Sequence, residues 1–140
     1  MKSVDTNVAV RFILGDDDNQ SKTAAEVFRS PCFIPLTVLV ETGWVLGASY
    51  GLDECQIAGA LLALLDQPTV STESEAEVRW ALARYRDKGA DLADMIHLVV
   101  SRRTEAFVTF DRKLPRQAGP DAPVHVDVLG RTANPAPSVP

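Results

Sequence analysis

Hydrophobic residues along the chain fall into short continuous runs and into longer stretches with helical spacing. The short runs predict five strands, at residues 2–5, 32–34, 69–72, 106–110 and 124–128. The longer stretches predict helices at residues 7–14, 21–29, 37–50, 53–65, 74–87 and 91–103. Strands that alternate with helices are typical of an α/β domain with a parallel sheet.

Residues near the predicted helix ends indicate where several helices begin and stop. Gly51 is a C-terminal stop, and Asp53 is a suitable N-cap for the helix that follows. Ser74 with Glu77 has the spacing of a capping box, and Asp91 is the expected N-cap of the last helix.

The length of 140 residues fits one domain, which we assign to residues 1–129. The remaining segment, residues 130–140, contains Pro135, Pro137 and Pro140 among small residues and is predicted to be a disordered tail. The two cysteines, Cys32 and Cys55, are isolated and predict neither a disulfide framework nor a zinc site.

Nothing in the sequence predicts membrane contact or export. The longest apolar stretch, residues 57–65, falls far short of the roughly 20 residues that span a bilayer. The first seven residues contain the charged Asp5 and do not resemble a signal peptide. We therefore expect a cytoplasmic protein.

The charge is unevenly distributed along the chain. The net charge is −5, yet residues 79–140 carry 10 basic and 7 acidic side chains, against 4 basic and 12 acidic in residues 1–78. Such asymmetry is a weak indication of polyanion binding. A solvated helix face explains the same basic residues equally well.

Two acidic residues lie at the carboxyl ends of predicted strands. Asp5 follows Val4 in the first strand, and Asp111 follows the strand at residues 106–110. In open parallel sheets, ligands bind beyond this edge. Capping of the next helix explains Asp5 equally well, and an ordinary turn explains Asp111.

Two more acidic residues lie in predicted helices. Glu41 shares a helical stripe with Val38, Trp44 and Val45, where an unpaired carboxylate would be costly to bury. A salt bridge or a partly exposed edge would also explain it. Asp94 is expected to be the third helical residue, where its charge would also stabilise the helix dipole.

Together these four carboxylates predict a metal site. If they converge, their mutual repulsion requires cations, and hard ions such as Mg²⁺ or Mn²⁺ prefer oxygen ligands. Such a site suits phosphodiester hydrolysis by metal-activated water, with Asp5 and Asp94 holding the principal metal, Asp111 helping and Glu41 opposite. The predicted products carry a 5′-phosphate and a 3′-hydroxyl.

The order of these residues resembles the PIN-domain nucleases, and most of all the VapC-type toxins of bacterial toxin–antitoxin pairs. The resemblance covers residues 2–128 and is carried by Val4-Asp5-Thr6-Asn7, by Glu41 ahead of Trp44-Val45-Leu46, by Leu92-Ala93-Asp94 and by Thr109-Phe110-Asp111. It implies a three-layer fold with about five parallel strands flanked by helices. It also implies a Mg²⁺- or Mn²⁺-dependent endoribonuclease that is usually dimeric.

The same resemblance implies roles for individual residues. The metal-binding catalytic carboxylates would be Asp5, Glu41, Asp94 and Asp111, with Thr6, Asn7 and Thr109 as supporting polar groups. It further implies a small antitoxin whose tail occupies the acidic pocket. Met95 departs from the family pattern, in which a small residue commonly follows the third acid.

Several residues near the acids remain open in role. His97 lies three residues after Asp94 and could touch a metal, although a packing role is more common, and Asp91 could also join the site. The candidates for contact with RNA phosphates are basic residues close in sequence to the acids: Arg102, Arg103, Arg112, Lys113 and Arg116. Each could equally be an ordinary solvated charge.

Two other functions are compatible with the acids. A non-catalytic module could use the acidic pocket to dock an arginine of a partner. A phosphotransfer enzyme could use Asp5 as its nucleophile, but the haloacid-dehalogenase pattern requires a second Asp at position 7, where this chain has Asn7.

Overall fold

The computed structural model describes residues 1–16 and 18–130. Except for its first residue, the tail predicted at residues 130–140 lies outside the described residues. Within them, the α/β class is confirmed, because parallel strands alternate with helices along the chain.

The described strands form two parallel sheets. The larger sheet has the order β1-β2-β3, comprising Lys2–Ser3, Cys32–Ile34 and Val70–Thr72. The smaller pairs β4, Phe107–Thr109, with β5, Val126–Val128.

The predicted single sheet of about five strands is therefore wrong in one respect: the larger sheet has three strands. The edge strand β1 is two residues long, and its ladder pairs Lys2 with Cys32 and Ser3 with Phe33. Such a short strand leaves little backbone to extend the sheet on its other side.

Seven helices occupy the described residues. They are α1 (Thr6–Leu14), α2 (Asn19–Val27), α3 (Leu36–Tyr50), α4 (Glu54–Leu65), α5 (Glu75–Lys88), α6 (Leu92–Val100) and α7 (Leu114–Ala118). Six match the predicted helices to within a few residues. Helix α7 was not predicted, because five residues are too few for a helical pattern to be recognised.

Helix capping agrees with the sequence at Gly51, Asp53 and Asp91 and contradicts it at Ser74. The Asp53 carboxylate accepts a hydrogen bond from the Gln56 amide at 2.8 Å, and Gln56 completes a capping box. Gly51 ends α3 in the left-handed conformation, with φ +70°. The capping box predicted at Ser74 is wrong, because Ser74 has φ 51° instead of the extended backbone of an N-cap, and its hydroxyl caps nothing.

The core lies where α3, α4, α5 and α6 pack together, and Leu46, Leu61, Leu82 and Leu98 are fully buried there. Gly43 lets α3 approach α6 closely, since a Cβ at this position would lie 3.0 Å from Leu92 Cδ2. This contact brings the helix that carries Glu41 beside the helix that carries Asp94. Within the described ranges, no helix has the length and apolar character of a membrane span.

Candidate active site

Asp5 joins the first strand to the first helix. The Val4 amide donates to the Phe33 carbonyl at 3.2 Å and so ties this segment to β2. The Asp5 carboxylate then caps α1 by accepting a hydrogen bond from the Val8 amide at 3.0 Å. Capping uses one carboxylate oxygen, so it leaves the other available to a ligand.

Glu41 is linked to the same corner of the molecule. The Thr6 hydroxyl, at the start of α1, donates a hydrogen bond to the Glu41 carboxylate. Glu41 is exposed, and the buried stripe of α3 runs instead through Leu39, Thr42 and Leu46. The burial predicted for Glu41 is therefore wrong, and its side chain lies on an exposed edge of α3, the alternative that the sequence left open.

Asp94 and Asp111 form a second pair. Asp94 is the third residue of α6, and its amide donates to the Asp91 N-cap carboxylate at 3.1 Å. Burial raises the pKa of Asp94, the charges of Asp91 and Asp111 raise it further, and His97 lowers it. The two carboxylates are thus close enough to repel each other through space.

Asp111 is held in a turn directly after β4. Its amide donates to the Thr109 hydroxyl at 3.0 Å, and its carboxylate accepts from the Lys113 amide at 2.9 Å. Asp111 therefore has the turn role that the sequence also allowed. The turn orients the carboxylate beside Asp94 and leaves one of its oxygens free of these bonds.

Asp94 and Asp111 line a cleft of about 510 Å³, which we call the acid cleft. Its walls are Glu54, Tyr85, Gly89, Ala90, Asp91, Asp94, Asp111, Lys113 and Gln117. Burial raises the pKa of the Tyr85 phenol, and the charges of Glu54, Asp91 and Asp53 raise it further. Tyr85 therefore remains protonated at neutral pH, as a hydrogen-bond donor within a negatively charged cleft.

Glu41 lines a different cavity, of about 830 Å³, which we call the apolar groove. Its walls are Leu36, Thr37, Val40, Glu41, Trp44, Ala93, Ile96, His97, Val100, Ser101 and Phe107. His97 stacks on Phe107 with ring centroids 6.3 Å apart, which agrees with the packing role considered for it. His97 and Asp94 both belong to α6 but line different cavities, so α6 separates the acid cleft from the groove.

Two of the three supporting polar residues predicted from the sequence lie beside predicted acids, and the third does not. Thr6 contacts Glu41 and Thr109 contacts Asp111, so both are beside predicted acids. Asn7 instead lines a small groove between α1 and α2 with Arg11.

Among the predicted basic residues, Lys113 lines the acid cleft. The Arg102 guanidinium donates to Glu73 and to the Val99 carbonyl, at 3.2 and 3.0 Å, so it is already engaged. Arg103, Arg112 and Arg116 are exposed.

Sequence reasoning did not select Glu54, Tyr85 or Gln117 as cleft residues. Glu54 and Tyr85 lie on helices whose apolar spacing predicts a core face but does not identify what the polar face meets. Gln117 lies on α7, a helix that the sequence did not predict.

The donor set suits a divalent cation, although it is not a closed cage. Within residues 1–16 and 18–130, no three His, Cys, Asp or Glu side chains are grouped closely enough to hold a metal ion. Mg²⁺ commonly uses one or two carboxylates and completes its shell with water and substrate phosphate. Among the described residues, Asp5, Glu41, Asp94 and Asp111 take part in no salt bridge.

Comparison with models of known protein families gives a match that covers most of the chain. The family model described as the PIN domain matches residues 3–120. No curated protein matches the chain significantly.

Proposed function

Because the chain belongs to the PIN-domain family, whose members are generally nucleases that use divalent metals, we propose that it is a Mg²⁺- or Mn²⁺-dependent endoribonuclease. One observation carries this proposal: Asp94, Asp111 and Lys113 line the same acid cleft, and neither carboxylate forms a salt bridge with a Lys, Arg or His among the described residues. Two repelling carboxylates and one amine provide a site for a cation and for the phosphate that accompanies it.

The proposed roles of the residues follow from their positions. Asp94 and Asp111 would hold the cation in the acid cleft, Asp5 would add an oxygen donor from the segment after β1, and Glu41, which lines the apolar groove and accepts a hydrogen bond from Thr6, would have a supporting role. When bound, the cation supplies positive charge that lowers the pKa of a water molecule and offsets the charge on the phosphate.

The proposed reaction is hydrolysis of an RNA phosphodiester. The water oxygen forms a bond to phosphorus while the bond from phosphorus to the 3′ oxygen breaks, which leaves a 5′-phosphate and a 3′-hydroxyl. Lys113 would hold a non-bridging phosphate oxygen of the strand through its ammonium group.

Cleavage of RNA by Asp94→Asn tests this proposal. With Mg²⁺, we expect the wild-type chain to cleave a fluorescent RNA and the variant to be slower by about a thousandfold, because cation stabilisation of the transition state contributes several kcal/mol. Asp121→Asn, at an exposed turn, is the matched control and should cleave normally.

Two outcomes would contradict the proposal. Undiminished cleavage by Asp94→Asn would exclude that carboxylate from the reaction. A wild-type chain that binds RNA or a basic protein, yet does not cleave with Mg²⁺ or Mn²⁺, would instead be a non-catalytic binding module.

The proposal extends to the biological role. We propose a cytoplasmic toxin of a type II toxin–antitoxin pair that forms a homodimer and is inhibited by a cognate antitoxin protein. Trp44 and Val100 are 70% and 58% exposed beside the apolar groove, and exposed apolar patches support contact with protein partners. A short neighbouring gene that encodes a DNA-binding head, and whose product relieves growth arrest on co-expression, would support this role; unrestricted growth with the chain alone would contradict it.

A further inference from the structure

One wall of the acid cleft is made by a helix too short to be stable alone. Helix α7 has five residues, and both Lys113, which precedes it, and Gln117 within it line the cleft. Its backbone bonds include Gln117 N–H to the Lys113 carbonyl and Gly119 N–H to the Pro115 carbonyl, each 3.0 Å. A helix of this length needs tertiary contacts to remain formed.

Arg84 of α5 supplies such a contact at the C-terminal end of α7. Its Nε donates to the Gln117 carbonyl at 2.7 Å, and its Nη2 donates to the Arg116 carbonyl at 3.0 Å. These carbonyls belong to the last turn, which has no helical N–H partners and carries the negative end of the helix dipole. A guanidinium group satisfies both carbonyls at once, and its charge stabilises the dipole.

Gly119 provides the space that this contact requires. It follows α7 with φ +80°, and a Cβ at this position would lie 2.8 Å from the guanidinium carbon of Arg84. The Arg84 side chain is thus enclosed by the chain segment that it holds.

The other end of the segment is fixed at the acid. The Lys113 amide donates to the Asp111 carboxylate, and the Leu114 amide donates to the Asp111 carbonyl at 3.3 Å. Leu114 and Ala118 are buried and anchor α7 to the core. Residues 111–118 therefore form one unit, held by the Asp111 turn at one end and by Arg84 at the other.

We propose that Arg84 is a positioning residue that sets the placement of Lys113 and Gln117 against the RNA strand. This inference depends on the proposed nuclease function for its effect on RNA. Arg84 contacts neither the strand nor the cation, and acts only through α7. Losing it should weaken substrate binding more than it slows the chemical step, because Asp94 lies on α6 and Asp111 is held by its own turn bonds at the far end of the 111–118 segment from Arg84.

Kinetics of Arg84→Met and Arg84→Lys test this role. We expect Arg84→Met to raise KM for RNA about tenfold, the size of losing hydrogen bonds from a charged donor, with little change in kcat. Arg84→Lys keeps the charge but loses the planar group with two donors, so its KM should lie between those of the wild type and Arg84→Met. The control is Arg86→Met on the same helix, because Arg86 pairs with the neighbouring Asp87 at the surface; it should match the wild type.

A double variant separates positioning from simple destabilisation. Because Arg84 acts partly through Lys113, Arg84→Met combined with Lys113→Met should raise KM by clearly less than the product of the two single effects. Independent multiplication of the two effects would overturn the proposal. So would a loss confined to kcat that tracks the fraction of folded protein.

Amide hydrogen exchange tests the placement without any RNA. In Arg84→Met, the amides of Lys113 and Gln117 should exchange faster than in the wild type, while Arg86→Met leaves them unchanged. Unchanged exchange in Arg84→Met would overturn the proposal even in an active enzyme. If the wild-type chain cleaves no RNA, the nuclease proposal fails by itself and this measurement still decides the role of Arg84.

Discussion

Helix α6 has a cavity on each side, and the two cavities differ in chemistry. The acid cleft is lined mainly by charged and polar groups, whereas the apolar groove presents Ile96, Val100 and Phe107 with Glu41 as its acid. Cations stabilise unpaired carboxylates, whereas burial against a partner stabilises an exposed apolar surface. The comparison suggests that hydrolysis and protein contact use opposite faces of one nine-residue helix.

Substitution of the acids tests most directly whether the two cavities have different roles. Asp111→Asn, in the acid cleft, should slow RNA cleavage about a thousandfold, because it removes a proposed cation ligand. Glu41→Gln, in the apolar groove, should slow cleavage about tenfold to a hundredfold, because its proposed role is supporting. Steady-state cleavage with saturating Mg²⁺ measures both. Equal losses would mean that the cleft and the groove act as one site.

Assembly should respond to the groove and not to the cleft. We expect the wild-type chain to sediment as a dimer, and Val100→Glu to weaken the dimer about a hundredfold, since a buried unpaired carboxylate opposes association. Val108→Glu is the control, because Val108 is 54% exposed on β4 and does not line the groove. Sedimentation across a concentration series measures both variants. A dimer that survives Val100→Glu would place self-association elsewhere.

The contact between α3 and α6 sets the spacing of the two cavities. Gly43→Ala places a Cβ 3.0 Å from Leu92 Cδ2, so we expect the overpacking to outweigh the better helix propensity and to lower stability by about 1 kcal/mol. Gly59→Ala on α4 meets nothing within 4 Å and should raise stability by about 0.5–1 kcal/mol. Denaturant unfolding compares the pair. Equal stabilisation by both would show that α3 has room to move.

The smallest expected effect concerns the ionisation of Asp94. Its pKa is raised above 3.8 in the folded protein, so the folded state holds the proton more tightly than the unfolded chain. Ionisation of Asp94 therefore lowers the stability of the folded protein at pH values above its pKa. This loss of stability disappears as the pH falls below about 3.8. Asp94→Asn should raise Tm by about two degrees near pH 7 and by less near pH 3. Thermal melting without metal measures this, with Asp121→Asn as the control; a lower Tm near pH 7 would contradict it.

The sequence predicted best what depends on local periodicity. Asp5 and Asp111 could be placed because each directly follows an apolar run, and Asp94 because its helix has a clear N-cap. Glu41 was selected for a burial that it does not have. Its contact with Thr6 joins two helices and leaves no signal in either segment alone.

What could not be predicted depends on contacts between distant segments. Division of the strands into two sheets is decided by the pairing of β1, not by the apolar pattern of any strand. Tyr85 and Gln117 reach one cleft only because α5 and α7 pack together. These contacts join residues thirty or more positions apart, as the pairing of Lys2 with Cys32 and the bond from Arg84 to the Gln117 carbonyl illustrate.

The enclosure of the Arg84 guanidinium by Gly119 has an evolutionary consequence. A side chain at position 119 would be strained by the φ of +80° whatever residue occupies position 84, and its Cβ, 2.8 Å from the guanidinium carbon, would also push the Arg84 guanidinium out of its present position. In descendants of this chain, glycine should therefore persist at position 119 even after Arg84 has been replaced, whereas Arg84 should lose its contact with α7 wherever Gly119 is lost. A lineage that keeps the arginine and gains a branched residue at 119 would need a differently built loop after α7.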